Sequence, residues 1–345
     1  MPVLLLLMVL SSVAAKSARP PQYSPEDKGV NWMWDTAWTD LTTKQINWAG
    51  VETDARNMRM AGIDWARVTL SSDYNPATYD RLLRIARTNR VQILFCIYKS
   101  APYKTFGTDE QEATDQDWIE TAVRHFKPFV KTWEVQNEEN LASSWDRAGS
   151  DQSGDAYSSG MNVSVAQYIK YLALCYRTIK KVDPTAMVMM GGLSDWQVKP
   201  WLLAFGRMGG GQYTDVFNIH PYAGSAVESV DQLNEVLSEV KLDPLLAGKP
   251  TWITEVGFQT ESAWHGVPGF VGTETNKALA LTAVMKGLRT AGVTTPIFWY
   301  ALHESESGVH GFGLVVVNSE ANGTETPLPA YFAEQNLWSE SKGGA

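Results

Sequence analysis

Eight short apolar runs, rich in β-branched and aromatic residues, recur along the chain with amphipathic helical patterns between them. That alternation limits the fold more than any other feature. The runs are Gly29–Trp32, Asp64–Leu70, Val91–Tyr98, Thr132–Gln136, Ala186–Gly191, Val216–Ile219, Thr251–Val256 and Thr294–Tyr300. Strands separated by helices pair in parallel, because a parallel pair needs a long crossover. Eight such units are the number that closes a (β/α)8 TIM barrel, an α/β fold with one core. An open doubly wound sheet shares the pattern, but no G-x-G-x-x-G follows a strand here.

Helix ends are marked as well. Asn75-Pro76 reads as an N-cap followed by proline at the first helical position. Ser229-x-x-Gln232 reads as a capping box. Gly62 and Gly292 are placed to close helices. After the turn-rich stretch from Gly311, Pro327-Leu328-Pro329 leads into a last helix, Ala330–Trp338, expected on the outside of the barrel.

Residues Val3–Leu10 are almost wholly apolar and small residues follow, so residues 1–15 read as a secretory signal cleaved near Ala15. The expected product is secreted or periplasmic. Residues 16–28 hold three prolines and read as a tether, which leaves 29–340 as a single barrel domain. At 44% hydrophobic and 19% charged, the 345-residue chain can bury such a core. A net charge of −9 argues against nucleic acid as a partner. Cys96 and Cys175 each lie in an apolar segment and are expected as buried free thiols. Asn162-Val163-Ser164 and Asn322-Gly323-Thr324 are glycosylation sequons.

Two strand-like segments end in a carboxylic acid, Trp133–Glu138 and Trp252–Glu255. In a parallel barrel, strand ends converge on one face, so distant acids meet there. Two facing carboxyl groups are the minimum needed to cut a glycosidic bond. Glu138 is either a general acid, its pKa raised by a partly apolar site, or an exposed loop acid. Glu139 is the same acid displaced by one residue. Glu255 is either a nucleophile or one half of an ion pair. Arg67 lies inside a strand-like run and needs a partner; pairing with Glu255 would lower that carboxyl's pKa, and would equally serve as a structural bridge. His220 and Tyr222 follow the sixth run, and the Tyr222 hydroxyl is placed to orient a carboxylate. Trp299 is either a platform for a sugar ring or core. The histidines His265, His303 and His310 have no compact ligand spacing, and the chemistry asks for no metal or cofactor.

With these residues in this order, the chain resembles the clan A glycoside hydrolases, the (β/α)8 retaining enzymes that include cellulase-like and β-xylosidase-like families. The resemblance runs from Gly29 to Leu337. It rests on Trp133–Glu138, on Trp252–Glu255, on Gly62–Val68 and on Gly313-Leu314 with Pro327-x-Pro329-Ala330-Tyr331. It implies that Glu138 is the acid/base and Glu255 the nucleophile. Asn137 would bind the sugar 2-hydroxyl, Tyr222 would support Glu255 and Trp299 would floor the site. Arg67 and His220 would assist from the shell or a subsite. Many members carry Asn-Glu-Pro, whereas this chain has Asn137-Glu138-Glu139-Asn140.

Trp145, Tyr157 and Trp264 in long loops, with Trp32, Trp34 and Trp38 near the first strand, supply aromatic surface either for several sugar subsites or for packing under the loops. The expected partner is a carbohydrate substrate, with no membrane contact after the signal is removed. A polysaccharide cut internally, such as a β-glucan, a mannan or an exopolysaccharide, is the first expectation. An exo-acting β-glycosidase, a transglycosylase and a non-catalytic carbohydrate-binding barrel are the rivals.

Overall fold

The computed structural model describes residues 21–40, 42–98, 109–141, 160–194, 198–261, 269–304, 311–319 and 322–338, apart from the side chains of 160–164 and 319. The predicted signal and residues 16–20 of the tether lie outside these residues. The barrel strands are β1 (Lys28–Asn31), β2 (Trp65–Ser71), β3 (Gln92–Tyr98), β4 (Thr132–Val135), β5 (Met187–Met190), β6 (Leu193–Ser194), β7 (Phe217–His220), β8 (Thr251–Val256) and β9 (Ile297–Trp299). All pair in parallel, in the order β5-β4-β3-β2-β1-β9-β8-β7-β6. A parallel bridge between Met189 and Val216 brings β5 back beside β7 and closes the curl. The expected eight positions are all occupied. The fifth is split, with β6 continuing after the Gly191-Gly192 break.

Helices α1 (Trp34–Trp38), α2 (Trp48–Met60), α3 (Pro76–Thr88), α4 (Asp109–Phe126), α5 (Gly160–Val182), α6 (Val198–Arg207), α7 (Ala226–Val240), α8 (Glu274–Thr290) and α9 (Pro329–Asn336) lie between and after the strands. Asn75 caps α3 through its side-chain oxygen, and Gly62 and Gly292 take positive φ just past α2 and α8, as the sequence signals predict. The capping box falls one turn earlier than expected. Ser225 accepts from the Glu228 N–H and starts α7, whereas Ser229 is buried inside the helix. Both serines precede an acid or amide at the right spacing, and the sequence alone does not choose between them. No helix among the described residues is long and apolar enough to cross a membrane.

Side-chain alternation divides each strand between two cores. Val30, Val68, Phe95, Trp133, Val188, Phe217, Ile253 and Trp299 belong to the large core between barrel and helices. Trp65, Leu94, Met189, Val216, Trp252 and Phe298 form a smaller apolar plug inside the barrel. The period of two then sets what lies above the plug: Asn31, Arg67, Cys96, Glu134, Asn218 and Thr254, all buried. Cys96 and Cys175 are both buried thiols outside any disulfide, as expected.

A hairpin, β10 (Val315–Ser319) with β11 (Thr324–Pro327), leads into α9. That helix is docked by the Tyr331 hydroxyl on the Asn57 carbonyl and by Lys28 Nζ on the Glu334 carbonyl. The Glu334 side chain is fully buried and neither carboxylate oxygen has a hydrogen-bond partner among the described residues. Burial pushes its pKa from an ordinary 4.5 up to about 7, against the pull of Lys28 and Arg289. A carboxyl raised in this way binds its proton more tightly folded than unfolded. Its contribution is whole below pH 4.5 and is lost as pH rises toward 7. Glu334→Gln should therefore raise stability above about pH 7 by up to roughly 3 kcal/mol, and change it little near pH 4, in paired denaturation curves.

Candidate active site

Arg67 is the hub of the polar layer. Its Nε and Nη2 grip Glu134 at 2.5 and 3.1 Å. Nη1 donates to Asn31 at 2.8 Å and to Glu255 at 2.6 Å, and Nη2 donates to Asn137 Oδ1 at 2.6 Å. The guanidinium thus reaches residues from β1, β4 and β8 while itself 8% exposed. Glu134 is fully buried and takes further hydrogen bonds from the Gly192 N–H, Asn218 Nδ2 and the Thr254 hydroxyl. Sequence reasoning passed over Asn31, Glu134, Asn218 and Thr254. Their signal is a polar residue at strand period inside an apolar run.

Glu255 faces the barrel mouth through an irregularity. Ile253 and Val256 both join the outer core, so the two residues between them turn inward, and the β8–β9 register shifts there. Its Oε1 is held by Arg67 and its Oε2 by the Tyr222 hydroxyl at 2.9 Å. Glu138 sits beyond the end of β4 with φ +56°, after Gln136 with φ +69°. Its N–H donates to the Gly192 carbonyl. His220 lies between the acids, with Nδ1 3.1 Å from Glu138 Oε1 and 3.8 Å from Glu255 Oε2. Its Nε2 is 2.8 Å from the Thr254 hydroxyl. Gly192 has to be glycine here, since an added Cβ would lie 2.0 Å from His220 Nε2.

The expected titration pattern is reversed. Burial pushes the Glu255 carboxyl up, and His220 and Arg67 oppose it without cancelling it. Burial also acts on Glu138, but there the hydrogen bond and charge of His220 win, helped by Ser194 and Arg67, and hold that carboxyl below its usual range. The two carboxyls titrate as a linked pair. The 3.1 Å contact accommodates two states: imidazolium with carboxylate, or neutral imidazole with carboxylic acid. Glu139 is 2% exposed, with Oε1 on the Asn137 N–H, and burial keeps its pKa well above the ordinary value. That burial sets it apart from Glu138, whose side chain is 21% exposed at the mouth.

Arg67, Asn137, Glu138, His220, Tyr222 and Glu255 are thus brought together. Trp299 is not. Parity turns it into the outer core, where it is fully buried, packs against Phe258 and donates its Nε1 to the Phe312 carbonyl. Tyr300 takes the inward position, half-buried, its ring against Tyr222 and Phe312. Burial first, then the charges of Glu255 and Glu138, raise its phenol pKa. Trp264, like Trp145 and Tyr157, lies outside the described residues.

Among the described residues, two groupings have the donor types a divalent cation takes, Glu138–His220–Glu255 and Asp54–His303–Glu325. The second pins the hairpin to α2. His303 Nε2 lies 2.9 Å from Asp54 and 3.1 Å from Glu325, and the indoles of Trp32 and Trp38 both donate to Asp54. Burial lowers the His303 pKa, but Asp54 and Glu325 outweigh it and raise it to about 10.

Residues 150–328, just over half of the chain, match the family model described as glycosyl hydrolase catalytic core. The chain belongs to that family. The match includes Glu255 but not Glu138. No curated protein sequence matches the chain. Solved structures resemble it along most of its length. A family 39 glycoside hydrolase from the gut symbiont Bacteroides cellulosilyticus has 17% identity and a TM-score of 0.67, over 92% of this chain and 64% of that one. A monomeric β-xylosidase from Caulobacter crescentus has 15% identity and a TM-score of 0.62, over 94% and 69%. A β-glucuronidase from Bacteroides uniformis has 14% identity and a TM-score of 0.66, over 91% of this chain but 35% of that one. The barrel is therefore shared with several glycosidase families rather than one. Of the first two structures matched, the chain spans less than two thirds of the length.

Removing Glu134 would leave a buried guanidinium without its bidentate partner. Glu134→Ala should cost roughly 3–5 kcal/mol, read as a lower denaturation midpoint at unchanged m-value.

Proposed function

We propose that this chain is a retaining β-glycosidase. The observation that carries the reading is the approach of the two acids. One carboxylate oxygen of Glu138, one of Glu255 and a nitrogen of His220 all lie within 4.8 Å of one another. Retaining enzymes hold their carboxyl groups about 5–5.5 Å apart, whereas inverting enzymes leave about 6.5–9.5 Å for a water.

Glu255 is the nucleophile. Arg67 and Tyr222 fix both of its oxygens and supply positive charge and a hydrogen bond to the carboxylate. It attacks the anomeric carbon as the glycosidic C–O bond breaks, and Glu138 passes its proton to the leaving oxygen. Glu138 then takes a proton from water, whose oxygen displaces Glu255 and restores the starting configuration. A sugar entering the mouth displaces water. A low dielectric favours the neutral state of the Glu138–His220 pair, which is the state with the proton on the acid. Asn137 accepts from Arg67 through Oδ1. Its Nδ2 is left to donate to a sugar hydroxyl, the 2-hydroxyl under this reading. Tyr300, and not Trp299, offers its ring to the sugar face. The substrate is a β-linked polysaccharide such as a glucan, a mannan or an exopolysaccharide, cut internally, and the protein acts after export from the cytoplasm. Exo action, transglycosylation and binding without cleavage are the other outcomes of the same test.

Reducing-sugar release across a panel of β-glucans, mannans, xylans and exopolysaccharides gives the substrate, and NMR of the first-formed anomer gives the stereochemistry. The β-anomer is expected. Glu255→Ala should lose several orders of magnitude, with activity partly restored by azide as an external nucleophile. Glu138→Gln should lose about 10²–10⁴-fold. An α-anomer first, or full activity in Glu255→Ala, overturns the assignment. Binding without cleavage by the wild type makes the barrel a carbohydrate-binding protein. Tyr300→Ala should weaken kcat/KM about tenfold or more with the fold intact, whereas Trp299→Ala should cost stability of about 3–5 kcal/mol.

A further inference from the structure

The charge of this acidic chain is unevenly placed. Between residues 56 and 90 stand seven arginines and three aspartates, and no lysine or glutamate. Arg67 is the hub inside the barrel. The other six, Arg56 and Arg59 on α2 and Arg81, Arg84, Arg87 and Arg90 on and just after α3, are all exposed. None of the six pairs with a carboxylate among the described residues. Arg56 donates to the Thr53 hydroxyl and Arg81 stacks on the Trp48 ring at 4.4 Å. Arg59 and Arg87 also lie in the last turns of their helices, where a cation is favoured by the dipole. That accounts for two of them and leaves Arg56, Arg81, Arg84 and Arg90.

The arginines on α3 recur every third residue. Each step rises about 4.5 Å along the axis and turns the side chain about 60° around it. The row therefore winds across the helix, and cavities flank α3 on both sides. One, of about 630 Å³, is lined by Arg56, Arg81 and Arg84, with Glu52 the single acid on its wall. The other, of about 360 Å³, is lined by Arg87, Arg90 and Lys131 beside the half-exposed Phe129. Arg81 and Arg84 face the first, Arg87 and Arg90 the second. The result is a cationic track along α3, from the depression between α2 and α3 to one at the N-terminal ends of β2, β3 and β4.

We propose that this α2–α3 face is a docking surface for an acidic polysaccharide, one carrying carboxylate groups along its chain. Guanidinium forks bind carboxylates in two-point contacts. Two depressions joined by a row of arginines across a helix suit a linear polymer, with carboxylates repeating at about the rise of that row. A flat anionic surface would instead meet the rest of a molecule carrying −9 overall. The surface rests on its own charge pattern and not on the catalytic assignment.

The test is migration of the full chain in native gels containing polygalacturonate, a neutral β-glucan or no polymer. Polygalacturonate should retard the protein, and added salt should weaken the effect. The triple variant Arg84→Glu/Arg87→Glu/Arg90→Glu should lose affinity about tenfold or more, with an unchanged far-UV circular dichroism spectrum. Arg84→Gln/Arg87→Gln, which adds no repulsion, should show a smaller loss in the same direction. Four results would overturn the proposal: no retardation of the wild type at low salt, equal retardation by the neutral glucan, retardation unchanged in both variants, or sedimentation with phosphatidylserine vesicles in place of polygalacturonate binding.

Discussion

The buried guanidinium of Arg67 is the contact on which the mouth of this barrel depends. A cation removed from water must be surrounded by acceptors, and here the acceptors come from three strands and from the segment after β4. The same demand that neutralises the charge therefore fixes where Asn137 and Glu255 point. Glu134 then recruits Asn218, Thr254 and the Gly192 N–H, and through Thr254 the network reaches His220. Residues on β1, β2, β4, β7 and β8 are tied by one connected set of hydrogen bonds above an apolar plug. Groups in such a site are held before any ligand arrives, which is how electrostatic preorganisation works in enzymes.

The barrel itself was readable because parallel strands buried on both faces are continuous apolar runs, and all eight were located. Arg67 and Tyr222 were also legible as partners of Glu255, since a charge within such a run demands a counter-charge. What failed was parity. Trp299 and Tyr300 are adjacent aromatics, and nothing local says which faces inward; only the pairing of Phe298 with the plug decides it. Glu255 escaped the same error because an irregularity in β8 turns it inward. The capping box of α7 failed by one turn for a similar reason, two serines offering the same local pattern. The direction of the carboxyl shifts was not legible either. It depends on how deeply each acid is buried and on His220 standing between them, and both are tertiary facts.

The far end of the chain binds the structure in a second way. The hairpin after β9 is fastened to α2 through His303, Asp54 and Glu325, and α9 is fastened to both α2 and the start of β1. The last segments thus brace the first. A barrel whose closing strand and opening helix are held by a common ion cluster resists opening at that seam, where β1 meets β9.

The crowding of charge at the mouth has a consequence for the proposed reaction. Before the first step the site contains one ionised and one protonated carboxyl across the cleft. Afterwards Glu138 has given up its proton and Glu255 has become a neutral ester. The anion has changed residues, but the total has not. Arg67, Glu134 and His220 therefore face the same summed charge on both sides of the barrier. A buried network that cannot rearrange is suited to a reaction of this kind, because the reaction displaces charge over a few ångströms and never asks the protein to take up or release any.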